Sequence, residues 1–257
     1  MAYELSVNLE YMYQEAGERI EDRIAAAAAD GFRKVEIFSM AGRDADAAKQ
    51  ALANHGVELI SMVNDPRTLL VDPSTHEQFR AIFQKTCEDA VFLGCRRVVV
   101  ASGPGVPYQK RPVQLATVAQ AVSSIVPIAE RFGVTIMLEP VNTRVDHPGV
   151  LFSHTEDAVA VIEMVNSPRV RLLYDLYHSV TEAEDPAEVL PAVAHLLEHV
   201  QVADAPGRGE PGSGKIDWEA ALNLLHSVGY TGPIGIECSP TLAPTGDALK
   251  WFSKLVN

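Results

Sequence analysis

Cysteine is scarce in this chain: only three occur among 257 residues. Three thiols cannot all pair with one another, and the spacing of Cys87, Cys95 and Cys238 matches no zinc-binding motif. The sequence therefore argues against a disulfide framework and against a structural zinc site of the usual kind. We expect three reduced, buried thiols, as is typical of cytoplasmic proteins.

Positive charge is also in short supply. The chain has 21 lysines and arginines against 34 aspartates and glutamates, which gives a formal net charge of −13. Adjacent basic residues such as Arg96-Arg97 and Lys110-Arg111 do not extend into a stripe, whereas a nucleic-acid interface needs a clustered basic face. We therefore expect no nucleic-acid partner.

Long hydrophobic runs are missing as well. The first residues, Met-Ala-Tyr-Glu-Leu-Ser, contain neither the positive segment nor the apolar segment of a secretory signal. No stretch has the roughly 18 consecutive apolar residues that a membrane span requires. These absences predict a cytoplasmic protein without a membrane partner.

Glycine is frequent in the loop over 207–214, where two segments resemble nucleotide-binding motifs. Neither segment has all the features that nucleotide binding requires. Residues 207–212 match G-x-G-x-x-G, and residues 209–215 match most of a P-loop. Ile216 stands where a P-loop needs Ser or Thr, and prolines flank glycines that should run straight from a strand into a helix. We predict no nucleotide cofactor.

Strand-like and helix-like segments alternate along the chain. The predicted strands cover 5–9, 35–38, 57–63, 97–101, 134–138, 170–174, 200–202 and 234–236, and the predicted helices cover 19–29, 45–54, 75–93, 113–132, 156–165, 187–197, 218–228 and 247–255. Eight such pairs favour a closed parallel barrel over an open sheet. The prediction is therefore an α/β fold, a single-domain (β/α)₈ TIM barrel over 1–257. Its active site should lie at the carboxyl ends of the strands, and apolar strand residues should fill its interior.

Polar residues end four consecutive predicted strands: Glu139, Asp175, Gln201 and Glu237. Because the carboxyl ends of barrel strands face one site, these side chains should converge. Buried carboxylates need a counter-charge. Three carboxylates and an amide oxygen form a hard donor set that suits Mg²⁺ or Mn²⁺, and also Co²⁺, better than Zn²⁺. We predict one divalent metal ion held by these four residues; the competing interpretation is that each is a satisfied cap or ion-pair partner.

Two glutamates beside a metal ion indicate a class of reaction. The cation can stabilise the enediolate that forms when a proton leaves a carbon next to a carbonyl group. Glu139 and Glu237, on opposite faces of the bound fragment, would remove and return that proton. The predicted reaction is the isomerisation or epimerisation of a small hydroxy-carbonyl compound.

Four further residues are predicted to contact the substrate. His178 lies one helical turn beyond Asp175 and could hydrogen-bond a substrate oxygen, while Arg208 could clamp a carboxylate or hydroxyl group. Asn8 ends the first strand, and Glu36 lies in the second. For Glu36 the competing interpretation is a structural hydrogen-bond acceptor.

Four segments together resemble a known family. They are LEPVNTR at 138–144, YDLYH at 174–178, HVQVADAPGRGEPGSG at 199–214, and GYTG with GIE at 229–232 and 235–237. From about residue 134 onward, the chain resembles the hydroxypyruvate isomerase branch of the xylose isomerase-like TIM barrels.

The resemblance implies that the four strand-end residues ligate the metal and that Glu139 and Glu237 are the acid–base pair. It also implies that His178 and Arg208 touch the substrate. Related ketose 3-epimerases usually carry a histidine where this chain has Gln201, which favours the isomerase branch. A homodimer or homotetramer is the expected assembly.

Two departures from the family pattern fall where specificity is set. The family usually has a glycine- and charge-rich loop after the third strand, where this chain has DPRTLLVD at 65–72, and commonly a lysine where this chain has Ser239. The substrate therefore stays open between a small 2-oxo acid, a ketose for a 3-epimerase, an inosose for an isomerase or dehydratase, and a keto-sugar for a lyase.

Alternatives from other classes also stay open. A glycosidase uses two carboxylates at barrel strand ends, and a non-catalytic carbohydrate-binding barrel could retain the fold alone. A metal-dependent DNA-repair nuclease shares this type of barrel, but it would need several metal-binding histidines and a basic face.

Overall fold

Eight parallel strands close into a barrel in the computed structural model, which describes residues 2–256. The strands are β1 (Leu5–Asn8), β2 (Lys34–Glu36), β3 (Glu58–Val63), β4 (Arg97–Ala101), β5 (Thr135–Glu139), β6 (Val170–Asp175), β7 (Leu197–Val202) and β8 (Ile234–Ile236). They neighbour one another in chain order, and β1 pairs with β8, where Val7 lies opposite Ile236. The predicted (β/α)₈ barrel is confirmed.

Helices cover the outside of the barrel. They are α1 (Ile20–Ala29), α2 (Ala45–His55), α3 (His76–Phe92), α4 (Arg111–Phe132), α5 (Thr155–Val165), α6 (Leu176–Glu182), α7 (Pro186–Val193), α8 (Trp218–Ser227) and α9 (Thr245–Val256). Local signals set several ends. The side chain of Asp217 accepts a hydrogen bond from the backbone of Ala220 at the start of α8, and Gly133 ends α4 with the left-handed φ of 65°.

Two helical segments differ from the prediction. The sequence analysis missed α6, which begins directly after Asp175. It also predicted one helix over 187–197, where the structure has α7, a 3₁₀ turn (Ala194–Leu196) and the start of β7 at Leu197. The short helix α6 carries His178, so its omission matters for the site.

Helix α4 is long and apolar enough to pass a test for membrane spans by length and composition, although the sequence analysis expected no such segment. In this helix, 44% of the most apolar 18-residue stretch is buried inside the protein. It packs between α3 and α5 in the ring around the barrel. A core helix of a soluble protein can have the same length and apolar composition, so these two features are weak support for a membrane span.

The barrel interior is apolar on one side and polar on the other. Val99, Met137 and Leu173 form a separate apolar cluster on β4, β5 and β6. On the other side, buried polar residues of β1, β2, β3 and β7 are hydrogen-bonded together: Ser6, Glu36, Ser61 and His199. The expectation that apolar residues fill the interior therefore holds for one side only.

The three cysteines behave as expected. Cys87, Cys95 and Cys238 are free and buried. Burial raises the pKa of Cys87 and of Cys95 to about 12, so these thiols stay protonated at neutral pH.

Candidate active site

A cavity of about 60 Å³ lies at the carboxyl ends of the strands. Its lining contains most of the predicted site residues: Asn8, Glu139, His178, Gln201, Arg208 and Glu237. Asp175 lies beside it, because one oxygen of Asp175, one of Glu139 and one ring nitrogen of His178 all lie within 4.8 Å of one another. The structure therefore brings the predicted catalytic residues and the four predicted metal ligands to one place.

The side-chain amide of Gln201 has a defined orientation. Its Nε2 donates to Glu36 Oε2 at 2.9 Å and to Glu237 Oε2 at 3.0 Å. Its Oε1 is buried and has no hydrogen-bond partner among residues 2–256. A neutral amide that uses its nitrogen in this way leaves only its oxygen to bind a ligand.

Asp175 presents an oxygen in the same way. Its Oδ1 accepts hydrogen bonds from the backbone of Tyr177 and His178 at the start of α6. Its Oδ2 is buried without a hydrogen-bond partner within the described part of the chain, and His178 Nε2 lies 3.8 Å away from it. Buried oxygens that lack partners are costly unless something binds them. The oxygens of Asp175 and Gln201, with the carboxylates of Glu139 and Glu237, fit a divalent cation that prefers oxygen.

His178 belongs to this group of residues but is a poor metal ligand. Its Nδ1 lies 2.7 Å from Asn142 Nδ2 and 3.2 Å from the backbone nitrogen of Asn142. Both groups are donors, and the Oδ1 of Asn142 is held by the backbone of Val145 and Asp146. The proton of the neutral ring is therefore on Nε2. The Nε2–H can donate to a substrate oxygen. The lone pair of Nδ1 faces the two donors of Asn142, so it is not free to bind a metal.

The buried environment favours the neutral form of this histidine and of the two glutamates. Burial lowers the pKa of His178 to about 4. Burial, helped by the charges of Glu237 and Asp175, raises the pKa of Glu139 well above its usual range. Burial also raises the pKa of Glu237 to about 7, although Arg208 opposes it. Raised carboxyl pKa values suit groups that take up and release a proton near neutral pH.

Arg208 lies across the mouth of the cavity. Its Nη2 is 2.6 Å from Glu237 Oε1, and its guanidinium lies 4.9 Å from the ring centre of Tyr11 and 5.3 Å from that of Tyr177. Its backbone is in the left-handed region at φ 55°, a strained conformation for a side-chain-bearing residue. The loop thus holds the guanidinium in place between the two rings.

Asn8 and Glu36 are placed differently from each other. Asn8 lines the cavity and donates its Nδ2 to Glu237 Oε2 at 2.8 Å, so it supports a glutamate as well as facing the substrate space. Glu36 is 1% exposed and does not line the cavity. The structure does not support the predicted substrate contact of Glu36, because its two oxygens accept bonds from Ser6, Ser61, His199 and Gln201.

Sequence reasoning missed two cavity residues, Arg67 and His147. Arg67 lies four positions after the end of β3, in the loop at the mouth of the barrel, and that position is the signal that could have identified it. His147 lies in the loop after β5, and its ring centre is 5.5 Å from that of His178. Burial, with the charges of Arg67 and Arg208, lowers the pKa of His147.

The glycine-rich loop is organised around an aspartate that the sequence analysis also overlooked. Asp204 accepts hydrogen bonds from the backbone of Gly212 and Ile216 and from the indole nitrogen of Trp218 at 2.8 Å. These donors are used within the loop. The N–H groups of Gly212 and Ile216 are therefore not free to bind a phosphate group.

Comparisons with known proteins agree on the family. The family model described as the xylose isomerase-like TIM barrel matches residues 24–255. A putative hydroxypyruvate isomerase of Streptomyces coelicolor is 30% identical over 96% of this chain and 94% of its own. A 2-oxo-tetronate isomerase of Cupriavidus necator is 31% identical over 96% of each chain.

A solved structure agrees in shape as well. The structure described as an AP endonuclease, family 2, from Brucella melitensis superimposes with a TM-score of 0.91 at 28% identity, over 99% of each chain. Together with the family model and the full-length relatives, this shows that the chain belongs to the xylose isomerase-like TIM barrel family.

Proposed function

We propose that this protein is a divalent-metal-dependent isomerase that moves a proton between neighbouring carbons of a small hydroxy-carbonyl compound. The observation that carries the proposal is the set of oxygens at the ends of four consecutive strands. Two of them, Asp175 Oδ2 and Gln201 Oε1, are buried without a hydrogen-bond partner among residues 2–256. The relatives' names as hydroxypyruvate and 2-oxo-tetronate isomerases support the same reaction.

The metal ion would be held by Glu139, Asp175, Gln201 and Glu237, and Mg²⁺ or Mn²⁺ suits their oxygens best. When bound, such a cation supplies the positive charge that stabilises a negatively charged substrate oxygen. Burial and repulsion from Glu237 and Asp175 raise the pKa of Glu139, and the cation would relieve that repulsion.

The proton transfer falls to the two glutamates. One ionised carboxylate removes the proton from the carbon that bears the hydroxyl group, and the C–H electron pair becomes the C=C bond of an enediolate. The electrons of the original C=O double bond move onto its oxygen at the same time. The other glutamate, in its protonated form, gives a proton to the neighbouring carbon, which takes up the electron pair of the C=C bond, and the proton of the original hydroxyl group passes to the former carbonyl oxygen, so that the first oxygen becomes the new carbonyl. The Nε2–H of His178 donates to a substrate oxygen while the charge develops.

The charges at the cavity favour a substrate that carries a carboxylate. The family lysine is replaced by Ser239, but Arg67 and Arg208 both line the cavity. Arg67 forms no ion pair within residues 2–256, so its guanidinium remains available for an anionic group. We therefore propose a small 2-oxo acid with a neighbouring hydroxyl group as the substrate.

Epimerisation is the second candidate. The same pair of glutamates produces an epimer if the proton returns to the same carbon from its opposite face. A neutral ketose would then be preferred, and Arg67→Gln would leave turnover almost unchanged. For a 2-oxo acid substrate, the same substitution should raise KM by about 10-fold or more.

The name of the Brucella structure brings DNA repair into consideration, but the site does not favour it. A DNA-binding face needs clustered positive charge, whereas this chain has a net charge of −13. The histidine nearest to the carboxylates, His178, is bonded to Asn142 through Nδ1. Cleavage of an abasic-site oligonucleotide by the purified protein, at a rate comparable to its isomerase turnover, would reverse this conclusion.

The test is solvent-deuterium exchange with Mn²⁺ added, measured by NMR on short 2-oxo acids, ketoses and inososes. Exchange at the carbinol carbon should require both catalytic glutamates, so Glu139→Gln and Glu237→Gln should each reduce it at least about 100-fold. Glu58→Gln, whose side chain pairs with Lys34 on the surface, is the matched control. Full exchange in either catalytic variant would overturn that residue's role, and full exchange after chelation would overturn the metal dependence.

A further inference from the structure

A buried network lies in the barrel interior, one layer below the cavity. Its centre is Glu36, which is 1% exposed. Its Oε1 accepts from Ser6 Oγ at 2.6 Å and His199 Nε2 at 3.0 Å, and its Oε2 accepts from Ser61 Oγ at 2.8 Å and Gln201 Nε2 at 2.9 Å. A buried carboxylate with four donors is held firmly in one place.

This carboxylate determines which end of the Gln201 amide faces the cavity. The two hydrogens of Nε2 point to Glu36 Oε2 and Glu237 Oε2. If the amide turned over, its oxygen would face two carboxylates, both bonds would be lost, and like partial charges would meet. The amide is therefore fixed with its nitrogen bonded to Glu36 and Glu237, which leaves its buried oxygen without a hydrogen-bond partner among residues 2–256.

The backbone beside this network leaves room for it. A Cβ atom on Gly235, which pairs with Gln201 in the sheet, would lie 2.1 Å from Glu36 Oε1 and 2.8 Å from His199 Nε2. Both distances are far below contact distance, and both neighbours are fixed by hydrogen bonds. Glycine is therefore required in β8 if the Glu36–His199 pair is to remain below Gln201.

We propose that Glu36 is a positioning residue for the metal site: it fixes the Gln201 amide so that the site offers only oxygen atoms. The consequence is a preference for Mg²⁺ and Mn²⁺ over Zn²⁺, because hard cations bind oxygen ligands. Outer partners that orient a ligand typically affect metal affinity 10–100-fold when they are removed. The inference depends on the proposed metal dependence.

The test is a titration of the metal-free protein with Mn²⁺, in which EPR measures the concentration of unbound Mn²⁺. Glu36→Gln has nearly the same shape, but its amide nitrogen can donate to Gln201 Oε1 and so favours the reversed amide. We expect Mn²⁺ to bind about 10–100-fold more weakly and the ratio of Zn²⁺ to Mn²⁺ affinity to rise. Ser61→Ala removes one donor to Glu36 without touching the amide, and it should change the affinity less than about threefold.

A double-mutant cycle separates positioning from a general loss of structure. If Glu36 acts through Gln201, Glu36→Gln should cost almost nothing further in a Gln201→Ala background. An undiminished loss in that background, or an unchanged affinity in the single variant, overturns the proposal. If Glu36→Gln does not fold by circular dichroism, Glu36→Asp takes its place; it keeps the charge with a shorter reach, and unchanged Mn²⁺ affinity in it also overturns the proposal.

The wild-type titration distinguishes this inference from the proposed function. If the wild-type protein binds no Mn²⁺, both the metal-dependent function and the positioning role of Glu36 are refuted. If the wild-type protein binds Mn²⁺, but no more tightly than Glu36→Gln does, only the positioning role of Glu36 is refuted.

Discussion

Replacing Glu139 by glutamine should make the metal-free protein more stable while it abolishes activity. The carboxylate of Glu139 lies within 4.8 Å of that of Asp175. At this distance two unit charges repel by about 3 kcal/mol at an effective dielectric constant of 20. Arg208 and Arg67 offset part of this repulsion. We therefore expect glutamine at position 139 to add about 1–2 kcal/mol to the free energy of unfolding at alkaline pH.

The sign of the pH dependence follows from the raised pKa of Glu139. A carboxyl group whose pKa is higher in the folded state contributes its full stability below the unfolded pKa and loses it as the pH rises through the folded pKa. Wild type and Glu139→Gln should therefore be about equally stable near pH 4.5. Their difference should grow with pH and level off above the raised pKa.

The assay is thermal unfolding in EDTA across this pH range, with and without Mn²⁺. At pH 8.5 in EDTA, the variant should melt about 2–8 °C higher than wild type. Saturating Mn²⁺, at about 100 times its dissociation constant, should add about 2.7 kcal/mol to wild type and much less to the variant. Glu182→Gln is the control: this buried carboxylate accepts bonds from Thr143, so its replacement should cost about 1–3 kcal/mol. A variant at position 139 that is less stable than wild type in EDTA at pH 8.5 would refute the reasoning.

Three further predictions concern the surroundings of the site. Arg208→Lys cannot lie flat between two aromatic rings or reproduce the bond to Glu237, so kcat/KM should fall about 10–100-fold with an unchanged circular dichroism spectrum. Burial raises the pKa of Glu10, but its two hydrogen bonds with Arg43 and one from a backbone N–H lower it overall. Glu10→Gln should therefore reduce the free energy of unfolding by about 1–2 kcal/mol at pH 7. Chemical denaturation should show that this difference fades as the pH falls below the usual carboxyl pKa near 4.5. Asp204→Asn places an amide nitrogen against N–H groups of its own loop, so it should lower stability by about 2–4 kcal/mol and speed proteolytic cleavage over 205–217.

Much of the fold could be predicted because its signals are local. Alternating short apolar segments and longer amphipathic ones gave the eight strands, and glycines such as Gly56 and Gly133 mark helix ends through their left-handed backbone. The missed helix α6 has only seven residues, and it buries polar side chains such as His178 and Ser179 beside apolar ones. Such a segment lacks the periodic contrast on which helix prediction depends.

The site was predictable to the extent that it lies at strand ends. Glu139 and Glu237 could be found by position alone, because parallel strands of a barrel bring their carboxyl ends together. The role of Asn142 could not, since it depends on a contact between the loop after β5 and α6 that places two donors on His178 Nδ1. Arg67 carries one weak signal, its place in the loop after β3, because the sequence does not show that this loop covers the cavity.

Glu36 and Glu139 show why residue type and burial alone do not identify a catalytic group. Glu36 is buried and Glu139 is partly buried in the same barrel, yet their pKa values are shifted in opposite directions. Burial alone would raise the pKa of Glu36, but His199 and the hydroxyls of Ser6 and Ser61 lower it to about 2. Burial also raises the pKa of Glu139, and there the neighbouring carboxylates of Glu237 and Asp175 add to the effect. The first arrangement stabilises a fixed charge and suits a residue that orients others. The second leaves a charge uncompensated, which a folded protein tolerates where a cation and a substrate complete the site.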